Sequence, residues 1–122
     1  MKKKILVADD DAQLLELVKG RLEKNNYAVI TAKDGLEALK KAQTENPDLI
    51  ILDIKMARMD GYTALRRLKL EKVTKSIPVI ILTGYDAMRD LFQVEDIRDY
   101  IVKPFKDEDF LLRVSRALKQ EI

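Results

Sequence analysis

The chain contains no cysteine and no histidine among its 122 residues. The first absence excludes disulfides and thiol chemistry. The second removes the usual general base and the usual zinc ligand. No apolar run approaches the ~20 residues that a membrane-spanning helix needs. The basic start, Lys2-Lys3-Lys4, is followed by a few apolar residues and then by acids, which is not the pattern of a signal peptide. A cytoplasmic location with no membrane partner is the resulting expectation. No repeat, low-complexity stretch or Gly/Pro-rich linker interrupts the chain. A formal net charge of +2 is too small to argue for nucleic acid. Arg66, Arg67, Lys69, Lys72 and Lys75 run alongside Glu71 and read as a solvated helix face. Only carboxylates, lysines, hydroxyls and a hard metal ion are left to carry chemistry.

What is present is a globular balance of 47% hydrophobic and 36% charged residues, enough for one domain with a real core. Lys4 to Ala8 reads as a strand buried on both faces. Leu14, Leu15, Val18 and Leu22 recur at helical spacing, and Asn25-Asn26 breaks that helix. Tyr27 to Thr31 is a weaker second strand. Asp34 is a good N-cap for a helix carrying Leu36 and Leu39 on one face, stopped by Asn46-Pro47. Leu49 to Leu52 is a third strand, and Asp60-Gly61 opens a helix with Leu65 and Leu68 inward. Pro78 starts a fourth strand, Val79 to Leu82, which ends in Thr83. Asp86 is expected to cap a short helix through Phe92. Tyr100 to Val102 is the fifth strand, and the last helix carries Phe110, Leu111, Val114 and Leu118.

Five apolar strands alternating with five amphipathic helices predict an α/β fold: a doubly wound, five-stranded parallel sheet with helices on both faces. In such sheets the active crevice lies beyond the carboxyl ends of the strands. Four ends are loaded here: Asp9-Asp10-Asp11 after the first strand, Asp53 after the third, Thr83 after the fourth and Lys103 after the fifth. Taken singly, each has an ordinary explanation. Asp11 is a helix N-cap, Asp53 a turn residue, and Lys103 a solvated lysine before a proline. Taken together they form a chemical set. Asp10 and Asp53 on adjacent strands raise each other's pKa unless a cation sits between them. Oxygen ligands without histidine suit Mg²⁺. A Mg²⁺ ion, the Lys103 ammonium and the Thr83 hydroxyl make an electrostatic clamp for a phosphoryl group, with Asp53 as the oxygen nucleophile.

These residues resemble a family. Asp9-Asp10 after the first strand, "LIILDIKM" around Asp53, "ILTG" at Thr83 and "DYIVKPF" around Lys103 are together similar to the receiver domain of two-component response regulators. The resemblance runs from Lys4 to about Leu118. It implies flavodoxin-like strand order 2-1-3-4-5 and a single stand-alone receiver over 1–122, with no appended effector domain. It implies that Asp53 is the phosphoacceptor, that Asp10 ligates Mg²⁺ directly, and that Asp9 holds the ion mainly through water. Asp53 and the backbone carbonyl of Lys55 complete that ligand set. Lys103 pairs with the phosphoryl oxygens, and its bond to Pro104 is expected to be cis. Thr83 grips the phosphoryl group, Gly84 leaves the aspartate accessible, and Tyr100 is the switch aromatic that turns inward as Thr83 moves. The implied donor is a phosphohistidine on a sensor kinase or a phosphotransfer protein. The implied output partner binds the face made by the predicted 86–92 helix, the fifth strand and the last helix. The chain is then a signalling switch that assists its own phosphorylation, not an enzyme acting on outside substrates.

Three positions depart from the family pattern. Ala57 stands where proline is common, the stretch from Thr83 to Lys103 is short, and Asp96-Ile97 replaces a common Gly-Ala. Tyr85 is expected to shield an acyl phosphate from in-line water. Three other readings compete: a docking module that is never phosphorylated, a Mg²⁺-dependent phosphatase, and a nucleotide or flavin binder. The intact Asp10, Asp53, Thr83 and Lys103 set argues against the first. Lys55 stands where such a phosphatase carries its second aspartate. The first loop is acidic rather than Gly-rich, which disfavours the third.

Overall fold

The structure, a computed structural model, describes residues 2–84 and 95–119. Its elements are β1 (Lys4–Ala8), α1 (Ala12–Lys24), β2 (Ala28–Ala32), α2 (Gly35–Glu45), β3 (Leu49–Leu52), α3 (Gly61–Leu70), β4 (Val79–Thr83), β5 (Asp99–Val102) and α4 (Asp107–Lys119). The strands form one sheet in the order β2-β1-β3-β4-β5, and every pair is parallel. The helix expected over 86–92 and the role given to Tyr85 lie outside the described residues.

The strand period of two divides the core. Leu6, Ala8, Ile50, Leu52, Val79 and Ile81 face one side, where α2 and α3 cover them with Ala38, Leu39, Ala42, Ala64, Leu65 and Leu68. Ile5, Val7, Leu49, Ile51, Ile80 and Leu82 face the other, where α1 and α4 supply Leu15, Val18, Leu22, Phe110 and Val114. Each fully buried leucine of these layers contributes ~1.5–3 kcal/mol relative to exposure.

Local chemistry explains the helix ends. Asp11 caps α1 by accepting from the N–H groups of Gln13 and Leu14, and Asp60 caps α3 through Thr63 N–H. Asp34 caps α2 through Glu37 N–H, and the Glu37 carboxylate accepts from Lys33 N–H, one residue ahead of the cap. Asn46 ends α2 in the left-handed conformation, φ 49°, just before Pro47. Beyond α3, the chain is held by the buried hydroxyl of Thr74, which donates to the Leu68 carbonyl at 2.7 Å. One sequence expectation needs correcting. Leu36 does not share the inward face with Leu39 but is 43% exposed. The buried stripe of α2 centres on Gly35, Ala38, Leu39 and Ala42, and at 3.6 residues per turn Leu36 lies about 110° away from it. The small residues on that stripe let α2 pack close, which shifts the buried face. The second strand starts one residue later than expected, and the fifth one earlier.

Register brings the loaded ends level. Ala8 lies beside Leu52, Leu52 beside Ile81, and Thr83 beside Val102. The ladder also continues one residue past the strand ends: Asp53 N–H donates to Ala8 O at 3.0 Å, and Lys103 N–H to Thr83 O at 2.8 Å.

Candidate functional site

Asp9 and Asp53 follow buried apolar strands, so both carboxyls start inside the protein: they are 3% and 7% exposed. Asp10 is exposed. One carboxylate oxygen from each of Asp9, Asp10 and Asp53 lies within 4.8 Å of the others. The Lys103 ammonium reaches in from the tip of β5, 2.7 Å from Asp9 Oδ2 and 3.4 Å from Asp53 Oδ2. The bond from Lys103 to Pro104 is cis. Thr83 is fully buried and its hydroxyl hydrogen-bonds to Asp53. The remaining oxygens of the buried acids are also occupied: Asp9 Oδ1 accepts from Asp11 N–H at 2.9 Å, and Asp53 Oδ1 from Ile54 N–H at 2.7 Å.

The electrostatics are unbalanced, since three carboxylates face one ammonium. Burial, and then the charge of Asp9, push the Asp53 carboxyl above its ordinary 3.8; Lys103, Thr83 and the Ile54 N–H offset this only in part. Burial disfavours the Lys103 charge, but its hydrogen bond to Asp9 and the charges of Asp53 and Asp9 outweigh that, so its pKa is raised above 10.5. An all-oxygen donor set with unmet negative charge and no nitrogen ligand fits a hard divalent cation such as Mg²⁺.

The other predicted positions lie on the strands and loops that carry this cluster. Lys55 is exposed on the loop directly after Asp53 and Ile54. Gly84 is exposed at the end of β4, and a Cβ built there meets nothing within 4 Å among the described residues. Tyr100 is only 4% exposed and packs into the core layer of α2 and α3, with its carbonyl accepting from Arg113 at 3.5 Å. The Arg113 guanidinium also pairs with Asp99 at 3.1 Å and with Asp109 at 3.2 Å.

Sequence reasoning missed how the loop between β3 and α3 is held. Gly61 N–H donates to Ile54 O at 2.6 Å, and the space where its Cβ would sit is filled by the Asp53 carbonyl, 1.9 Å away. Gly35 plays the same part for the Met59 carbonyl, also at 1.9 Å. Arg58 donates from Nε to Asp34 Oδ2 at 3.0 Å, with Nη2 at 2.9 Å from the same oxygen. The adjacent Asp34-Gly35 pair carries a local signal for a helix start. No spacing rule links it to an arginine 24 residues on.

Comparison with known proteins agrees with this geometry. The family described as response regulator receiver domain matches residues 5–115. The alkaline phosphatase synthesis transcriptional regulatory protein PhoP of Bacillus subtilis is 40% identical, over 98% of this chain and 50% of its own length. The transcriptional regulatory protein ResD of the same organism is also 40% identical, over 96% of this chain and 48% of its own. The chain thus spans about half the length of these relatives. Among solved structures, a putative response regulator from Chloroflexus aurantiacus superimposes with a TM-score of 0.92 at 30% identity, covering 98% of this chain and all of that one. The response regulator TrrA of Thermotoga maritima, solved in complex with Mg²⁺-BeF, gives 0.87 at 35% identity, covering 94% and 98%. With matched sequence, strand order and clustered strand-end residues in agreement, the chain belongs to the response regulator receiver domain family.

Proposed function

We propose that this chain accepts a phosphoryl group on Asp53, in the presence of Mg²⁺, from a phosphohistidine of a sensor kinase or phosphotransfer protein. One juxtaposition carries this reading: the Lys103 ammonium and the Thr83 hydroxyl meet the buried Asp53 carboxyl within a three-carboxylate cluster. Asp53 Oδ2, the oxygen that faces Lys103, attacks phosphorus, the P–N bond to the donor imidazole breaks, and that nitrogen leaves with the bonding pair. Asp10, Asp53, the Lys55 carbonyl and, through water, Asp9 would hold the ion, which supplies charge neutralisation for the incoming phosphoryl oxygens. Lys103 provides a second positive charge at the same point, and exchanges its bonds to Asp9 and Asp53 for bonds to the new oxygens. Thr83 donates its hydroxyl to one of them. Tyr100 and the β5–α4 face then report the change to an output partner, as a shift between two populations of the fold. Lys55 takes the position at which an aspartyl phosphatase carries its general acid, so turnover of outside substrates is not expected. The proposed setting is cytoplasmic.

The test is intact-protein mass spectrometry after incubation with phosphoramidate or acetyl phosphate and Mg²⁺. One added phosphoryl group is expected on the wild type, and none on Asp53→Asn or in excess chelator. If neither small donor nor a phosphorylated histidine phosphotransfer domain yields an adduct, the proposal fails.

A further inference from the structure

The β3–α3 loop follows Asp53 and includes Lys55, whose carbonyl is proposed above to hold the ion. Its two ends are pinned to each other by the Gly61 N–H to Ile54 carbonyl bond. Its middle is pinned across the molecule, to the start of α2. Arg58 adopts a left-handed backbone, φ 65°, which a residue with a Cβ adopts only at a cost in energy. That conformation sends its guanidinium to Asp34, with Nε and Nη2 both on Oδ2. The other oxygen, Oδ1, is committed to capping α2 through Glu37 N–H at 2.8 Å. The Asp34 side chain is 12% exposed, so the anchor is largely buried even though the Arg58 side chain is 60% exposed. Alongside, the Met59 carbonyl rests in the space that Gly35 leaves open.

An ion pair with one partner this exposed adds little to global stability. Its effect is on position. We infer that Arg58 is a positioning residue for the Asp53 site: by tying the loop to the α2 N-cap, it holds the Lys55 carbonyl and Asp53 in the arrangement that receives Mg²⁺. The inference rests on the magnesium-dependent phosphoacceptor function proposed above.

The test compares wild type, Arg58→Asn and Arg58→Lys. Asparagine tolerates the left-handed backbone but has no guanidinium, and lysine keeps the charge with one donor group. Mg²⁺ alone is titrated and followed by amide NMR, and hydrogen exchange of residues 55–59 is measured in metal-free protein. Arg58→Asn should weaken Mg²⁺ binding by about tenfold, at the mild end of losses seen when a partner that orients metal ligands is removed. Loop protection should fall while the unfolding midpoint barely moves, and Arg58→Lys should recover part of the affinity. A drop in midpoint with unchanged Mg²⁺ affinity would reduce Arg58 to a structural role and overturn the inference. Wild-type protein that shows no saturable Mg²⁺ binding would instead overturn the proposed function itself.

Discussion

The Lys103 ammonium lies closer to Asp9 than to the proposed phosphoacceptor, 2.7 Å against 3.4 Å. The lysine therefore serves two carboxylates at once in the unmodified chain, and its removal exposes both. Lys103→Met should lower metal-free stability by about 1–3 kcal/mol, less than for a fully buried pair because the lysine is partly exposed. Mg²⁺ should restore part of the loss, because it supplies the missing positive charge. Urea unfolding with and without Mg²⁺ checks both statements.

Asp53 should behave in the opposite sense. Its folded pKa is raised, so the native state holds its proton more tightly than the unfolded chain does. Its favourable contribution is complete below the ordinary 3.8 and is lost as pH rises through the raised value. At neutral pH the ionised group is a destabilising element. Asp53→Asn should thus raise the metal-free urea midpoint at pH 7, and the advantage should shrink as pH falls toward 4. A midpoint below wild type at pH 7 would show that Thr83 and Lys103 already compensate the buried charge.

Asp34 titrates with the reverse sign. The hydrogen bond from Glu37 N–H, outweighing the upward pull of burial, and then Arg58 hold its carboxyl below the ordinary 3.8. Its stabilisation is present above 3.8 and disappears as pH falls through the depressed value. Asp34→Ala should cost ~1–2 kcal/mol at pH 7, the usual price of a lost N-cap plus its ion pair. That cost should diminish in strong acid, as followed by pH-dependent unfolding.

Two glycines predict opposite outcomes for one substitution. Gly61→Ala places a methyl against the Asp53 carbonyl at 1.9 Å, so backbone must move. A loss of about 2–4 kcal/mol is expected, with impaired phosphorylation. Gly20, in the exposed part of α1, has nothing among the described residues within 4 Å of an added Cβ. Gly20→Ala should stabilise by ~0.5–1 kcal/mol through helix propensity, with Mg²⁺ binding untouched. Thermal unfolding of both variants decides.

The sheet was legible in the sequence because parallel strands buried on both faces write themselves as unbroken runs such as Leu49-Ile50-Ile51-Leu52. The cluster was legible because strand ends must converge wherever the strand order is 2-1-3-4-5. Leu36 was misread because hydrophobicity alone does not reveal that a helix packs through its alanines. The Arg58–Asp34 tie was invisible for a different reason: it joins two loops, neither of which has a periodicity to read. That Lys103 would pair more tightly with Asp9 than with Asp53 depends on side-chain reach across the sheet, which residue order does not encode.

The pairing of Lys103 with Asp9 spans 94 positions of the chain. Of the elements described, only α4 follows that lysine. A chain still emerging from the ribosome therefore carries Asp9, Asp10 and Asp53 well before it carries the lysine that pairs with two of them. Until β5 docks beside β4, the tips of β1 and β3 hold uncompensated charge and have no ammonium to meet a phosphoryl group. Contacts this distant are costly to close and form late. On the function proposed above, competence to be phosphorylated would depend on β5 having docked beside β4.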